Sequence, residues 1–108
     1  MPQYVILTDH TPDICPSSNN RSRARAIEGM GQQLQNLATD AGITFTTELL
    51  HLDPSHRMVA VVDAPSIEAV TELAYATGLT QWNTVEVYPV TPAADFMANL
   101  DAFPIVFG

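Results

Sequence analysis

Most of the side chains equipped for chemistry crowd into one short stretch. Asp9, His10, Asp13, Cys15, Ser17, Ser18, Asn19 and Asn20 lie between the end of an apolar run and the start of a helical pattern. An imidazole placed there can act as a general base or a metal ligand, because it titrates near neutrality. A thiol five positions further on supplies a nucleophile or a soft ligand once ionised, and a neighbouring helix start favours the ionised form. The segment therefore nominates His10 as a base, with Asp9 and Cys15 as catalytic companions. The plain alternative is a loop rich in capping residues, with His10 bonded to a backbone carbonyl and Cys15 serving as a small buried hydrophobe.

Other residues extend this cluster in two directions. Three of the four arginines, Arg21, Arg23 and Arg25, fall in the first turns of a helix, where a cation opposes the helix dipole and invites an anion such as a carboxylate. Asn19, Arg21, Trp82 and Asn83 are the side chains expected to place a small ligand. The competing roles are charge balance for the arginines and a core or interface anchor for Trp82. A metal reading draws on His10, Cys15 and His51, donors suited to nickel, zinc or iron. Glu48 and His56 complete the pool of donors. Glu48 and His51 point to opposite faces of an alternating strand, and His56 falls in a turn expected to be exposed, so at most one of them joins His10. The small-molecule reading needs no cofactor; the metal reading needs a transition metal.

The elements that position these groups follow from hydrophobic period. Residues 3 to 8 (QYVILT) read as a strand entering a proline-containing loop. A long amphipathic helix starts near Ser18 to Asn20, carries Ile27, Met30, Leu34, Leu37, Ala38 and Ala41 on one side, and ends at Gly42. The GMG segment at 29 to 31 lacks the strand-turn context of a phosphate loop and is expected to permit close helix packing. Residues 43 to 52 and 57 to 63 read as a hairpin around a DPSH turn. A second helix opens at Ala64 and Pro65, buries Ile67, Val70, Leu73 and Ala74, and stops at Gly78. A fourth strand spans 84 to 90. A weaker helical pattern over 91 to 99 leads into the apolar tail FPIVFG.

This order predicts a single α+β domain over 1–108: a ferredoxin-like βαββαβ core over 3–90, with a four-stranded antiparallel sheet and a C-terminal helix and tail over 91–108. Both alternating sets of the first and third strands are apolar, so the sheet face away from the helices needs a cover, and a second copy is expected to provide it. A hydrophobic fraction of 46% in 108 residues points the same way. The formal charge of −8, from twelve acidic residues against four arginines and no lysine, argues against nucleic acid and anionic membranes as partners. One cysteine excludes an intramolecular disulfide. The opening MPQYVIL lacks the features of a signal peptide, and no apolar run approaches the ~20 residues of a membrane span, so a cytoplasmic location is expected.

The stretches DAPSIEAV and GLTQWNTVEVYPV resemble the dimeric α-β barrel superfamily, which includes muconolactone isomerases and antibiotic-biosynthesis monooxygenases. With DHTPDICPSSNNRSR the likeness is strongest to short, functionally unassigned actinobacterial members, and it covers residues 3 to 90. The resemblance implies two ferredoxin-like sheets packed face to face, each subunit keeping a ligand pocket between sheet and helices. It transfers no catalytic set onto this chain. The leading expectation is a homodimer binding a small organic metabolite, as a cofactor-independent isomerase, lyase or monooxygenase. The alternative is a noncatalytic transition-metal-binding protein.

Overall fold

A computed structural model describes all residues 1–108. Strand β1 (Gln3–Asp9) lies in the interior of the sheet, paired antiparallel with β4 (Arg57–Asp63) on one side and β5 (Thr84–Val90) on the other. The far edge of β4 carries two short strands, β2 (Thr44–Phe45) and β3 (Leu50–Leu52). The result is an α+β domain with a five-stranded antiparallel sheet and four α-helices, compatible with a ferredoxin-like fold.

Four strands were expected, and the fifth arises because the predicted strand over 43 to 52 is broken. The amides of Thr46 and Thr47 both donate to the carbonyl of Val61, while Thr47 Oγ1 accepts from the Val61 amide. Two residues thus oppose one, as in a β-bulge, and the ladder is interrupted between β2 and β3.

Helices α2 (Gln32–Asp40) and α3 (Ile67–Ala76) pack on one face of the sheet, and α1 (Asn20–Gly29) lies against the 3₁₀ turn Leu79–Gln81 beside them. The single long first helix predicted from periodicity is in fact α1 and α2, separated at Met30 and Gly31, where Gly31 takes φ 76°. Gly29 does permit close packing: a Cβ there would stand 1.7 Å from the carbonyl oxygen of Thr77. At the end of α2 the amide of Gly42 donates to Thr39 and that of Ile43 to Ala38, a Schellman stop. Helix α3 begins later than Pro65, because Ser66 caps it by accepting from the Ala69 amide.

Tyr4, Ile6, Ala38, Ile43, Val62, Ala64, Val70 and Leu73 form the main core between sheet and helices. Ala74, Leu79 and Trp82 form a smaller cluster beside Met30 and Met58. On the opposite face Val5, Leu7, Val59 and Val61 are only partly covered, and Leu50 and Tyr88 are exposed. Helix α4 (Ala93–Ala98) and the residues after it bury none of their side chains. No helix is long and apolar enough to cross a membrane.

Candidate functional site

Three segments meet where β1 ends. His10 follows β1 directly, and its amide donates to the carbonyl of His56 in the turn leading into β4. Cys15 sits in the loop before α1. One donor atom from each of His10, Cys15 and His56 lies within 4.8 Å of the others, and all three side chains are half-buried.

The Cys15 loop is held by its own polar groups. The Cys15 carbonyl accepts from the amides of Ser18 and Asn19, and Ser18 Oγ donates to the carbonyl of Pro12. Asn19 caps α1 by accepting from the Ser22 amide, and its Nδ2 donates to the carbonyl of Asp13. Arg23 donates to the carbonyls of Pro16 and Ser17, so this arginine pins the loop. Arg21 and Arg25 are exposed and line a separate hollow with Asn19 and Trp82.

Behind His10 stands a polar clamp built on the 3₁₀ turn Leu79–Gln81. Buried Asn83 donates from Nδ2 to the carbonyl of Leu79, which fixes its amide so that Oδ1 accepts from His10 Nδ1 at 2.8 Å. His10 Nδ1 therefore carries a proton, and in the neutral ring the lone pair lies on Nε2. The His10 ring is also flanked by Trp82 and His56, each with a centroid 5.3 Å away.

Two features set this cluster apart. His10 Nε2 and His56 Nδ1 are buried without any hydrogen-bond partner. Leaving such an atom unpaired costs ~1–3 kcal/mol, and an ion accepting its lone pair removes that cost. Second, the Cys15 thiol is lowered from its ordinary 9.0 to about 6, chiefly by Ser17, first through its hydroxyl 3.0 Å from Sγ and then through its backbone. A thiolate and two imidazoles form a borderline-soft donor set that fits zinc or copper. With Nδ1–H engaged by Asn83, a neutral His10 directs the lone pair of Nε2 toward Cys15 and His56, the orientation a metal ligand needs.

The structure brings together His10 and Cys15 of the sequence-derived set, with Asn83 behind them, and replaces His51 by His56. His51 is exposed and bonded to Asp53 at 2.7 Å, away from the cluster. The turn carrying His56 was expected to be exposed, yet the His10–His56 backbone bond folds it against the site. Asp9 is exposed, with its carboxylate 3.9 Å from Arg57. Trp82 is buried in the smaller core cluster while presenting its ring to His10. A cavity of about 340 Å³ opens beside the site, lined by His10, Ile14, Gln81, Trp82 and Asn83 among others. Neither the protein-family models nor the curated proteins compared with the chain give a match.

Proposed function

We propose that this chain is a transition-metal-binding protein in which Cys15 Sγ, His10 Nε2 and His56 Nδ1 hold one ion and leave a fourth position open. The observation that carries this reading is the convergence of the three donors within 4.8 Å, with both imidazole nitrogens buried and unpartnered. Three protein ligands with an open position is the arrangement in which zinc keeps a water or another exchangeable ligand, and the soft thiolate equally admits copper. The test is metal analysis of the purified full chain after exposure to zinc or copper. One ion per chain, lost in Cys15→Ser and in His10→Ala, is expected; no retained metal would overturn the proposal.

A second reading, a cofactor-independent isomerase, lyase or monooxygenase acting on a small metabolite, is favoured by the cavity beside His10. There His10 Nε2 is the base, Nδ1 being engaged by Asn83, and Trp82 forms part of the wall. A thermal-shift screen of metal-free protein with hydroxylated aromatics, lactones and small carboxylates tests it. Stabilisation that disappears in His10→Ala supports this reading, and an empty screen counts against it.

Either site belongs to a cytoplasmic, ferredoxin-like domain that pairs with a second copy across the open sheet face, as the resemblance to dimeric α-β barrels implies. The apolar character of Val5, Leu7, Val59 and Val61 on that face supports the pairing.

A further inference from the structure

Residues 91–108 leave the body of the domain as an apolar arm. Every one of them is exposed, among them Phe96, Met97, Leu100 and Phe103, with Ile105 at 92% and Phe107 at 91%. The arm has a shape of its own, because the rings of Phe96 and Phe103 pack at 5.6 Å across α4 and the 3₁₀ turn Leu100–Ala102. It carries two charges, Asp95 and Asp101, and no cation, which suits neither an anionic membrane nor nucleic acid.

Its cost in exposed surface is measurable. The chain exposes 7267 Å², whereas a compact monomer of 11.7 kDa exposes ~5,900 Å². The radius of gyration of 16.4 Å likewise exceeds the ~13 Å of a compact chain this long. The surplus of roughly 1,400 Å² per chain, doubled over a pair, reaches the range of obligate homodimer interfaces.

We infer that, where the two open sheet faces pair, the arm of each copy docks along the rim of the second copy's face, with the exchange made reciprocally about a two-fold axis. The inference rests on the pairing proposed above and names the segment that seals it. Both apolar surfaces belong to one chain and occur in equal number, so a two-fold pair satisfies both arms and both faces and closes on itself. The receiving face offers Val5, Leu7, Val59 and Val61 at its centre, with Leu50 and Tyr88 exposed on its two sides.

Sedimentation velocity on the full chain tests this with two variants placed at exposed positions, which the fold of one copy tolerates. The parent is expected to be dimeric at ~10 µM. An arm variant, Ile105→Asp with Phe107→Asp, and a face variant, Leu50→Glu, are each expected to weaken dimerisation at least ~100-fold while keeping the far-ultraviolet circular dichroism of the parent. An equimolar mixture of the two should recover part of the dimer, because one intact arm then meets one intact face. A parent dimer that the arm variant leaves unchanged, whatever the face variant does, would overturn the arm exchange while the pairing stands. A parent monomeric at ~100 µM would overturn both.

Discussion

Replacing Asn83 by leucine removes the clamp on His10 while keeping the side chain close in size. Asn83 is 8% exposed and spends both ends of its amide, accepting from His10 Nδ1 at 2.8 Å and donating to the Leu79 carbonyl at 3.1 Å. Without it the His10 Nδ1–H loses a bond with a net value of ~1 kcal/mol and faces an unpaired cost of ~1–3 kcal/mol, so the ring is free to turn or to change tautomer. Both responses withdraw the Nε2 lone pair from the metal position. The expected loss of ~1.4–2.7 kcal/mol is a fall in metal affinity of ~10- to 100-fold, the range typical of partners that orient a ligating histidine. Competition for zinc against a chromophoric chelator reads this directly. Asn83→Asp, which keeps an acceptor, should restore most of the affinity. Unchanged affinity in Asn83→Leu, with the fold intact by circular dichroism, would refute the tautomer argument.

Three further outcomes follow from the same geometry. Structural zinc sites bind with ~10–16 kcal/mol over four ligands, so His56→Ala should lower affinity by at least ~100-fold, whereas His51→Ala should leave it unchanged by the same competition assay. In metal-free protein, alkylation of Cys15 by iodoacetamide should rise with pH through a midpoint of about 6 and then level off, whereas a thiol at the ordinary 9.0 would keep accelerating. Because the folded value lies below the ordinary one, the thiolate adds stability that is present above pH 9 and lost as pH falls through 6; Ser17→Ala, which removes the largest cause, should move the midpoint upward. Gly29→Ala places a Cβ 1.7 Å from the Thr77 carbonyl oxygen, so α1 must shift away from the C-terminal end of α3, and a thermal melt should show a loss of ~2 kcal/mol or more.

The strands were the most legible part of the chain. The bounds of β4 and β5 match the apolar runs at 57–63 and 84–90, because alternating β-branched residues flanked by turn residues leave few other options. The interruption in the first helix was harder to see. Its hydrophobic period continues across Gly29 and Gly31, and only the approach of Gly29 to Thr77, a contact between distant segments, shows why the chain changes direction there. The bulge opposite Val61 was hidden for a similar reason, since Thr46 and Thr47 are ordinary strand residues and their shared partner is fourteen or fifteen positions away.

At the site, His10 and Cys15 stood out as reactive types in a loop at a strand end. His56 did not, because its neighbours Asp53, Pro54 and Ser55 spell an exposed turn, and the bond from His10 that draws it in spans 46 positions. One signal was available: residues 3–9 and 57–63 pair in a register that sets Asp9 opposite Arg57, and that register carries the next residues of each chain, His10 and His56, to the same end of the sheet. Asn83 was named among the residues expected to place a small ligand, but its contact with His10 depends on the 3₁₀ turn that aims it and could not be read from the sequence.

The central claim is that one thiolate and two imidazoles from three separate segments share a single metal ion. Titration of the full chain with cobalt(II), followed by absorption spectroscopy, tests it most directly, since a thiolate bound to cobalt gives a charge-transfer band and a low-coordinate ion gives intense visible bands. Saturation at one equivalent is predicted, with the charge-transfer band abolished by Cys15→Ser and the visible bands weakened by His56→Ala. A spectrum that stays that of the hydrated ion would contradict the account.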